Sequence, residues 1–178
     1  MNIANKLTIL RVLLVPVFLL FLLKDDITYF ARETAIFIFV LAALTDALDG
    51  YLARKYNLIT NFGKFADSIA DKVLVCAALV AFVELGLLPA WFVIVIISRD
   101  FVISTFRMLA ADTGVVIAAD GLGKLKTIFQ MIMIIYLMFE FEGAAFVLAG
   151  NILIAIVLLL TIASAVNYFN KNRAVFKQ

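Results

Sequence analysis

Residues 35–55 form an apolar segment that is long enough for a membrane helix and carries acids near its end, AIFIFVLAALTDALDGYLARK. An α-helix needs about 20 mostly apolar residues to cross a bilayer. Asp46 and Asp49 lie inside this segment, although an ionised side chain at the centre of a membrane helix costs about 2.5–3.5 kcal/mol. These two carboxylates must therefore face a cavity, a cation or one another.

A second pair of acids lies in the next apolar segment, whose first residues, 63–72, read GKFADSIADK. A short connection over residues 56–62 makes the two helices antiparallel. At a rise of about 1.5 Å per residue, Asp46 and Asp71 each lie about 12 Å from this connection. Helical spacing keeps Asp46 and Asp49 on one face of the first helix, and it keeps Asp67 and Asp71 on one face of the second. The sequence therefore predicts two matched tiers of paired carboxylates.

The four carboxylates have the character of a metal site, because they cannot all ionise side by side without cations. Oxygen-only ligands suit Mg²⁺ or Mn²⁺, and the set has room for two ions. Gly50 and Ala53 leave space for close approach, and the guanidinium of Arg54 matches phosphate geometry. We interpret the segment as a metal-assisted site for a pyrophosphate or nucleotide. Two alternatives stay open, namely helix packing with internal salt bridges and an ion pathway.

The whole chain has the composition of a membrane protein. Of its 178 residues, 66% are hydrophobic and 16% are charged, whereas soluble domains are about 45–50% apolar. We predict an all-α membrane protein, a single domain over residues 1–178 folded as a six-transmembrane-helix bundle. The predicted spans are 7–23, 33–55, 64–86, 89–111, 124–141 and 147–168.

The Lys and Arg residues are distributed unevenly between the predicted loops. The outer loops carry only Lys24 and Arg32, and most other cations fall on the side of the termini. The positive-inside rule then predicts a multi-pass protein of the inner membrane with both termini and the acidic site facing the cytoplasm. No signal-peptide cleavage site follows the first span. Trp91, Tyr29 and Tyr168 fit interfacial anchoring.

The residue types exclude several classes of function. The chain has no His and one Cys, which excludes imidazole acid–base chemistry, disulfides and the usual His/Cys zinc sites. The net charge is only +2, whereas nucleic-acid-binding domains are usually strongly basic, so nucleic-acid binding is not expected. Any chemistry must therefore come from acids, Lys, Arg and hydroxyl groups.

The acids and their neighbours resemble the signature of the CDP-alcohol phosphatidyltransferase family. This resemblance implies a membrane enzyme, typically a homodimer, that binds CDP-diacylglycerol and two Mg²⁺ or Mn²⁺ ions at the cytoplasmic edge of a six-helix bundle. It implies Asp71 as the general base that also touches metal, and direct displacement of CMP. The implied metal ligands are Asp46, Asp49, Asp67 and Asp71, and the implied CDP contacts are Asp49, Gly50, Ala53, Arg54 and Gly63.

Three further segments are residues 5–11, residues 97–101 together with Arg107, and residues 123–127. They resemble the branch of this family that transfers the phosphatidyl group to sn-glycerol 3-phosphate and forms phosphatidylglycerol phosphate. That acceptor is a dianion and needs positive groups beyond the metals. The candidates for its phosphate are Arg99, Arg107, Lys124 and Lys126, and Asn5, Thr8 and Arg11 are further candidates that contact substrate or anchor the first helix. The alternative for Arg99 is a pair with Asp100 or with another acid on a neighbouring helix. For the other three cations the alternative is snorkelling to the inner surface. The last helix offers no comparable pattern.

Two other functions remain compatible with the sequence. The same chemistry could use another alcohol acceptor, such as serine, inositol phosphate or phosphatidylglycerol. A different class of function is a cation carrier or channel lined by the four Asp residues. That alternative leaves Gly50, Ala53 and Arg54 without an evident role.

Overall fold

A computed structural model describes residues 3–24, 30–55, 61–112, 121–139 and 143–172, and within them the side chains of all residues except 3–8, 46–55, 61–68, 71, 111 and 112. These residues form α-helices and no strand, which confirms the predicted all-α class. The six helices coincide with the six predicted segments to within four residues at either end. They are α1 (Ile3–Leu23), α2 (Ala31–Lys55), α3 (Asn61–Glu84), α4 (Ala90–Asp112), α5 (Gly121–Met138) and α6 (Ala144–Lys171).

Two of these helices, α5 and α6, are long and apolar enough to cross a membrane by length and composition. The six-span topology and the placement of the termini stay predictions. The chain divides into two compact units, Met1–Leu88 and Pro89–Gln178, each of which contains three helices.

The first unit is organised around α1, which lies against both α2 and α3. Its buried positions recur every three or four residues, so one stripe of the helix faces its neighbours. Phe18 of this stripe contacts Phe39 of α2, with ring centroids 5.6 Å apart. Ala35 and Ala42 are fully buried on α2, and small residues of this kind allow helix backbones to approach closely.

A glycine turn closes α3 and the first unit. Gly86 has a φ of 72°, in the left-handed region that side chains with a Cβ rarely adopt. The amide of Leu87 returns to the carbonyl of Phe82 at 2.9 Å, which satisfies one of the last carbonyls of the helix. Leu88 is buried just before Pro89 begins the second unit.

The second unit is built on α6, which lies against α5 and also contacts α4. Where α5 leads into α6, the ring of Tyr136 stacks on Phe146 at 4.1 Å, and its hydroxyl donates to the Phe146 carbonyl at 3.0 Å. A Cβ at Gly150 would lie 3.5 Å from the Tyr136 ring, which is ordinary van der Waals contact, so α6 packs directly on α5 at this position.

The predicted interfacial aromatic residues have different surroundings. Trp91 is 58% exposed. Tyr168 is only 4% exposed, so its interpretation as an interfacial anchor is wrong. The reason is that position 168 continues the buried stripe of α6, which passes through Val157, Thr161 and Ser164. Tyr29 lies outside the described residues.

Candidate active site

The predicted acidic site occupies the C-terminal end of α2 and the N-terminal end of α3, which are separated in the sequence by residues 56–60. Both helices extend through the predicted positions, because α2 continues to Lys55 and α3 begins at Asn61. The side chains lie outside the described residues for the whole motif and for two candidates on α1, namely Asp46, Asp49, Gly50, Ala53, Arg54, Gly63, Asp67, Asp71, Asn5 and Thr8.

The buried stripes of α2 and α3 lead into the acidic positions. On α2, positions 35, 39 and 42 are buried, and the same helical spacing continues to 46 and 49. On α3, positions 82, 78 and 74 are buried, and the spacing continues to 71 and 67. The backbone periodicity therefore puts all four acidic positions in line with the faces that these helices bury.

Arg11 is the one predicted site residue of the first unit whose side chain the structure describes. It is 0% exposed and belongs to the buried stripe of α1. Phe18 and Phe39 are in contact, and Arg11 lies seven residues before the first while Asp46 lies seven residues after the second. Because successive helices joined by a short connection run in opposite directions, Arg11 lies about level with position 46.

In the second unit, the structure joins two predicted cations through an acid. Lys126 is 1% exposed, and its Nζ donates to both carboxylate oxygens of Asp100, at 2.6 and 2.5 Å. Arg99 donates from Nη1 to the same carboxylate at 3.0 Å. The alternative that Arg99 pairs with Asp100 is therefore confirmed, and Lys126 shares that partner.

The other side of the Arg99 guanidinium reaches α6. Its Nη2 donates to the hydroxyl of Ser164 at 2.8 Å, and that hydroxyl donates in turn to the Thr161 carbonyl at 3.0 Å. A Cβ at Gly123 would lie 3.6 Å from Nη2, so the first turn of α5 passes close to the guanidinium. Arg99 of α4 thus contacts α6 directly through Ser164 and is connected to α5 through Asp100 and Lys126.

This polar junction, defined as Arg99, Asp100, Lys126 and Ser164, places two cations on one carboxylate. The side chain of Lys126 in it is nearly inaccessible. The Nε of Arg99 is buried and has no hydrogen-bond partner among the described residues. A buried donor of this kind within a cationic cluster favours an anion as a further partner.

The two remaining acceptor candidates, Arg107 and Lys124, have exposed side chains. Within the described part of the chain, neither has an ion pair with a carboxylate. Arg107 lies close enough to Tyr168 for its charge to act on that hydroxyl. The structure therefore brings Arg99 and Lys126 into one cluster and places Arg107 beside a residue of α6.

Sequence reasoning missed the contribution of α6 to these contacts. Ser164 and Tyr168 are hydroxyl-bearing residues in a long apolar helix, and no charge or motif marks them. The available signal is their spacing, because both share the stripe of Val157 and Thr161 at intervals of three or four residues.

Comparison with known proteins gives a consistent result. The profile of CDP-alcohol phosphatidyltransferase matches residues 1–163. A Bacillus subtilis protein named CDP-diacylglycerol–glycerol-3-phosphate 3-phosphatidyltransferase is 41% identical over 189 aligned positions, covering 99% of this chain and 97% of its own. A Rickettsia typhi protein of the same name is 36% identical, covering 98% and 99%. A Mycobacterium tuberculosis protein named probable phosphatidylglycerophosphate synthase is 40% identical, covering 94% and 79%.

Proposed function

The chain belongs to the CDP-alcohol phosphatidyltransferase family, and from this premise we propose that it transfers the phosphatidyl group of CDP-diacylglycerol to sn-glycerol 3-phosphate. The products are phosphatidylglycerol phosphate and CMP. As a member of this family the protein is a transferase of phospholipid biosynthesis. The names of relatives that align over nearly their whole length support the choice of acceptor.

One observation in this chain carries the proposal, which is the continuation of two buried stripes into four acidic positions. Because positions 46, 49, 67 and 71 follow the buried faces of α2 and α3, we infer that their carboxylates converge instead of facing lipid. Convergence of this kind supports a site for cations and for the pyrophosphate of a nucleotide lipid.

The donor set fits divalent metal ions by its chemistry, since Asp46, Asp49, Asp67 and Asp71 offer only carboxylate oxygen. We propose that these residues hold two Mg²⁺ or Mn²⁺ ions. When bound, such ions neutralise the charge of the pyrophosphate and of the departing CMP.

Asp71 is the proposed general base. Its carboxylate accepts the proton of the primary hydroxyl of glycerol 3-phosphate while that oxygen attacks the phosphorus that carries the diacylglycerol. A new bond forms between this oxygen and phosphorus, the bond to the CMP oxygen breaks, and CMP leaves with the electron pair. Direct displacement is favoured because the motif offers no activated nucleophile for a covalent intermediate.

The CDP group is assigned to the end of α2 and the start of α3. We propose contacts from Asp49, Gly50, Ala53, Arg54 and Gly63, in which small residues allow close approach and Arg54 pairs with phosphate. Arg11 joins this set, because it is fully buried and about level with position 46. On the same helix, Asn5 and Thr8 stay candidates for substrate contact.

Recognition of the acceptor phosphate is assigned to Arg99, Arg107, Lys124 and Lys126. The two cations of the polar junction support this assignment, and so does the buried Nε of Arg99, which has no hydrogen-bond partner among the described residues. Lys124 lies in the first turn of α5, where backbone amides also favour an anion. Since Asp100 already holds Lys126, we propose that Lys126 acts mainly by keeping the junction positively charged.

The membrane arrangement is also a proposal. We propose that the six helices span the inner membrane with both termini and the acidic site on the cytoplasmic side, and that two copies form a homodimer. The apolar composition and the uneven distribution of Lys and Arg support the topology. The family match runs across both compact units, which supports one functional domain.

Turnover of CDP-diacylglycerol labelled in the cytidine tests the proposed function. Purified protein should release CMP when glycerol 3-phosphate and Mg²⁺ or Mn²⁺ are both present, and chelation of the metal by EDTA should stop the release. CMP release with serine, inositol phosphate or phosphatidylglycerol but not with glycerol 3-phosphate would overturn the acceptor. Ion flux through liposomes without any CMP release would instead support the carrier or channel.

A further inference from the structure

Tyr168 carries a buried hydroxyl that makes no hydrogen bond with the part of the chain that the structure describes. The residue is 4% exposed, and the hydroxyl has no hydrogen-bond partner among the described residues. A buried polar group without a partner destabilises the fold, because water has been removed and nothing replaces it. Such a group in a functional protein therefore calls for a reason, of which a bound ligand is one.

A second tyrosine of the same unit, the half-buried Tyr136, has a hydrogen-bond partner in the protein. The hydroxyl of Tyr136 donates to the Phe146 carbonyl at 3.0 Å, while its ring stacks on the Phe146 ring. The two tyrosines differ in surroundings, since Tyr136 lies where α5 leads into α6 and Tyr168 lies near the last turn of α6.

The surroundings of Tyr168 are positively charged. Arg107 of α4 acts electrostatically on the hydroxyl, and Arg107 has no carboxylate partner in the described part of the chain. The neighbouring residues Phe106 and Phe169 meet edge to face, with ring centroids 5.9 Å apart, so α4 and α6 are in contact at this level. The contact between α4 and α6 thus brings the charge of Arg107 near enough to act on the Tyr168 hydroxyl.

One turn back along α6, Ser164 holds the guanidinium of Arg99, whose Nε is also without a partner. The contact between α4 and α6 therefore presents two guanidinium groups and a phenol hydroxyl that can all donate hydrogen bonds. Donors with net positive charge suit an oxyanion that has several acceptor oxygens, and a phosphate dianion fits this description.

We propose that Tyr168 is a specificity-determining residue whose hydroxyl donates to the phosphate of glycerol 3-phosphate beside Arg107. This inference rests on the proposed function. It adds a neutral donor from α6 to a subsite otherwise assigned to cations of α4 and α5. A phenol on a packed ring has a fixed position, so it can select for an acceptor that carries phosphate at the right place.

The substitution Tyr168→Phe tests the proposal, because it removes the hydroxyl and keeps the ring. The KM for glycerol 3-phosphate should rise about tenfold or more, as expected for the loss of a hydrogen bond to a charged group. The KM for CDP-diacylglycerol should not change. The melting temperature without substrate should stay the same or rise, since an unsatisfied buried group has been removed.

Tyr136→Phe is the matched control, because it removes a phenol hydroxyl that already has a protein partner. This variant should melt at a lower temperature and keep both KM values. If Tyr168→Phe leaves the acceptor KM unchanged, or lowers the melting temperature as Tyr136→Phe does, then the hydroxyl has a structural role and the proposal is overturned.

A binding measurement separates failure of this inference from failure of the proposed function. Glycerol 3-phosphate and inorganic phosphate, each added without CDP-diacylglycerol, should raise the melting temperature of the wild-type protein more than that of Tyr168→Phe. Equal shifts in the two proteins would overturn the role of Tyr168. Absence of turnover in the wild-type protein would overturn the proposed acceptor, whichever way the thermal shifts come out.

Discussion

The two three-helix units differ in the charged residues that continue their buried helix faces. In the first unit, the buried faces of α2 and α3 lead into four acidic positions, and the buried face of α1 includes Arg11, which is 0% exposed. In the second unit, Arg99 and Lys126 both contact the carboxylate of Asp100. This difference agrees with the proposed roles of the two units. The acids of the first unit would hold metal ions and accept a proton, and the cations of the second unit would bind the anionic acceptor.

The largest expected effect comes from Asp71→Asn in the first unit. If Asp71 takes the proton of the acceptor hydroxyl, kcat should fall by about 10²- to 10⁴-fold. Binding of CDP-diacylglycerol should largely persist, because the amide keeps the shape of the side chain. Calorimetric titration with the lipid, beside assays of CMP release, measures both quantities. Equal loss of binding and turnover would show that Asp71 is chiefly a metal ligand.

The equivalent change in the second unit, Asp100→Asn, should lower the stability of the protein more than it lowers kcat. It removes the carboxylate that Lys126, which is nearly inaccessible, contacts through both oxygens, and this should lower the free energy of unfolding by about 2–3 kcal/mol. Denaturant unfolding in detergent measures the loss, and Asp100→Glu should recover part of it. An unchanged unfolding midpoint in Asp100→Asn would contradict the structural role of Asp100, which here distinguishes it from Asp71.

Arg107→Gln tests by kinetics whether the second unit binds the acceptor and not the lipid donor. Loss of one charged contact to phosphate should raise the KM for glycerol 3-phosphate about tenfold, while the KM for CDP-diacylglycerol stays the same. Lys171→Gln serves as the control, because Lys171 is an exposed cation at the end of α6 that is not assigned to the acceptor. If both variants raise the acceptor KM equally, the effect reflects general surface charge.

The smallest effect is expected for Gly86→Ala, at the turn that closes the first unit. A Cβ at a φ of 72° should cost about 1–2 kcal/mol of stability without changing either KM. Gly121→Ala is the control, since this glycine has no atom within 4 Å of an added Cβ and no positive φ. A rise in either KM for Gly86→Ala would mean that this turn influences substrate binding.

Much of the fold could be predicted because helix length and apolar composition are local properties. The predicted start of α3 was residue 64 and the observed start is Asn61, because polar residues and glycine at a helix end do not count toward an apolar run. The pair between Arg99 and Asp100 could also be anticipated, since a charge deep in an apolar helix needs a partner.

The contributions of α6 could not be predicted in the same way. Ser164 and Tyr168 acquire meaning only when α4 packs against α6, and such packing depends on tertiary structure that single-helix patterns do not contain. The roles of the four Asp residues rest on the family and on backbone periodicity, and they stay predictions until the substitutions are measured.

The bond between Lys126 and Asp100 also bears on how the chain is inserted during synthesis. In the proposed six-span topology, α4 carries Asp100 together with its partner Arg99, whereas α5 carries Lys126 without that carboxylate. A charged side chain such as Lys126 costs about 2.5–3.5 kcal/mol on insertion scales when its helix enters the hydrocarbon alone. Entry of the two segments as a hairpin cancels most of that cost. Translocation machinery should therefore release α4 into lipid late, after α5 has emerged from the ribosome.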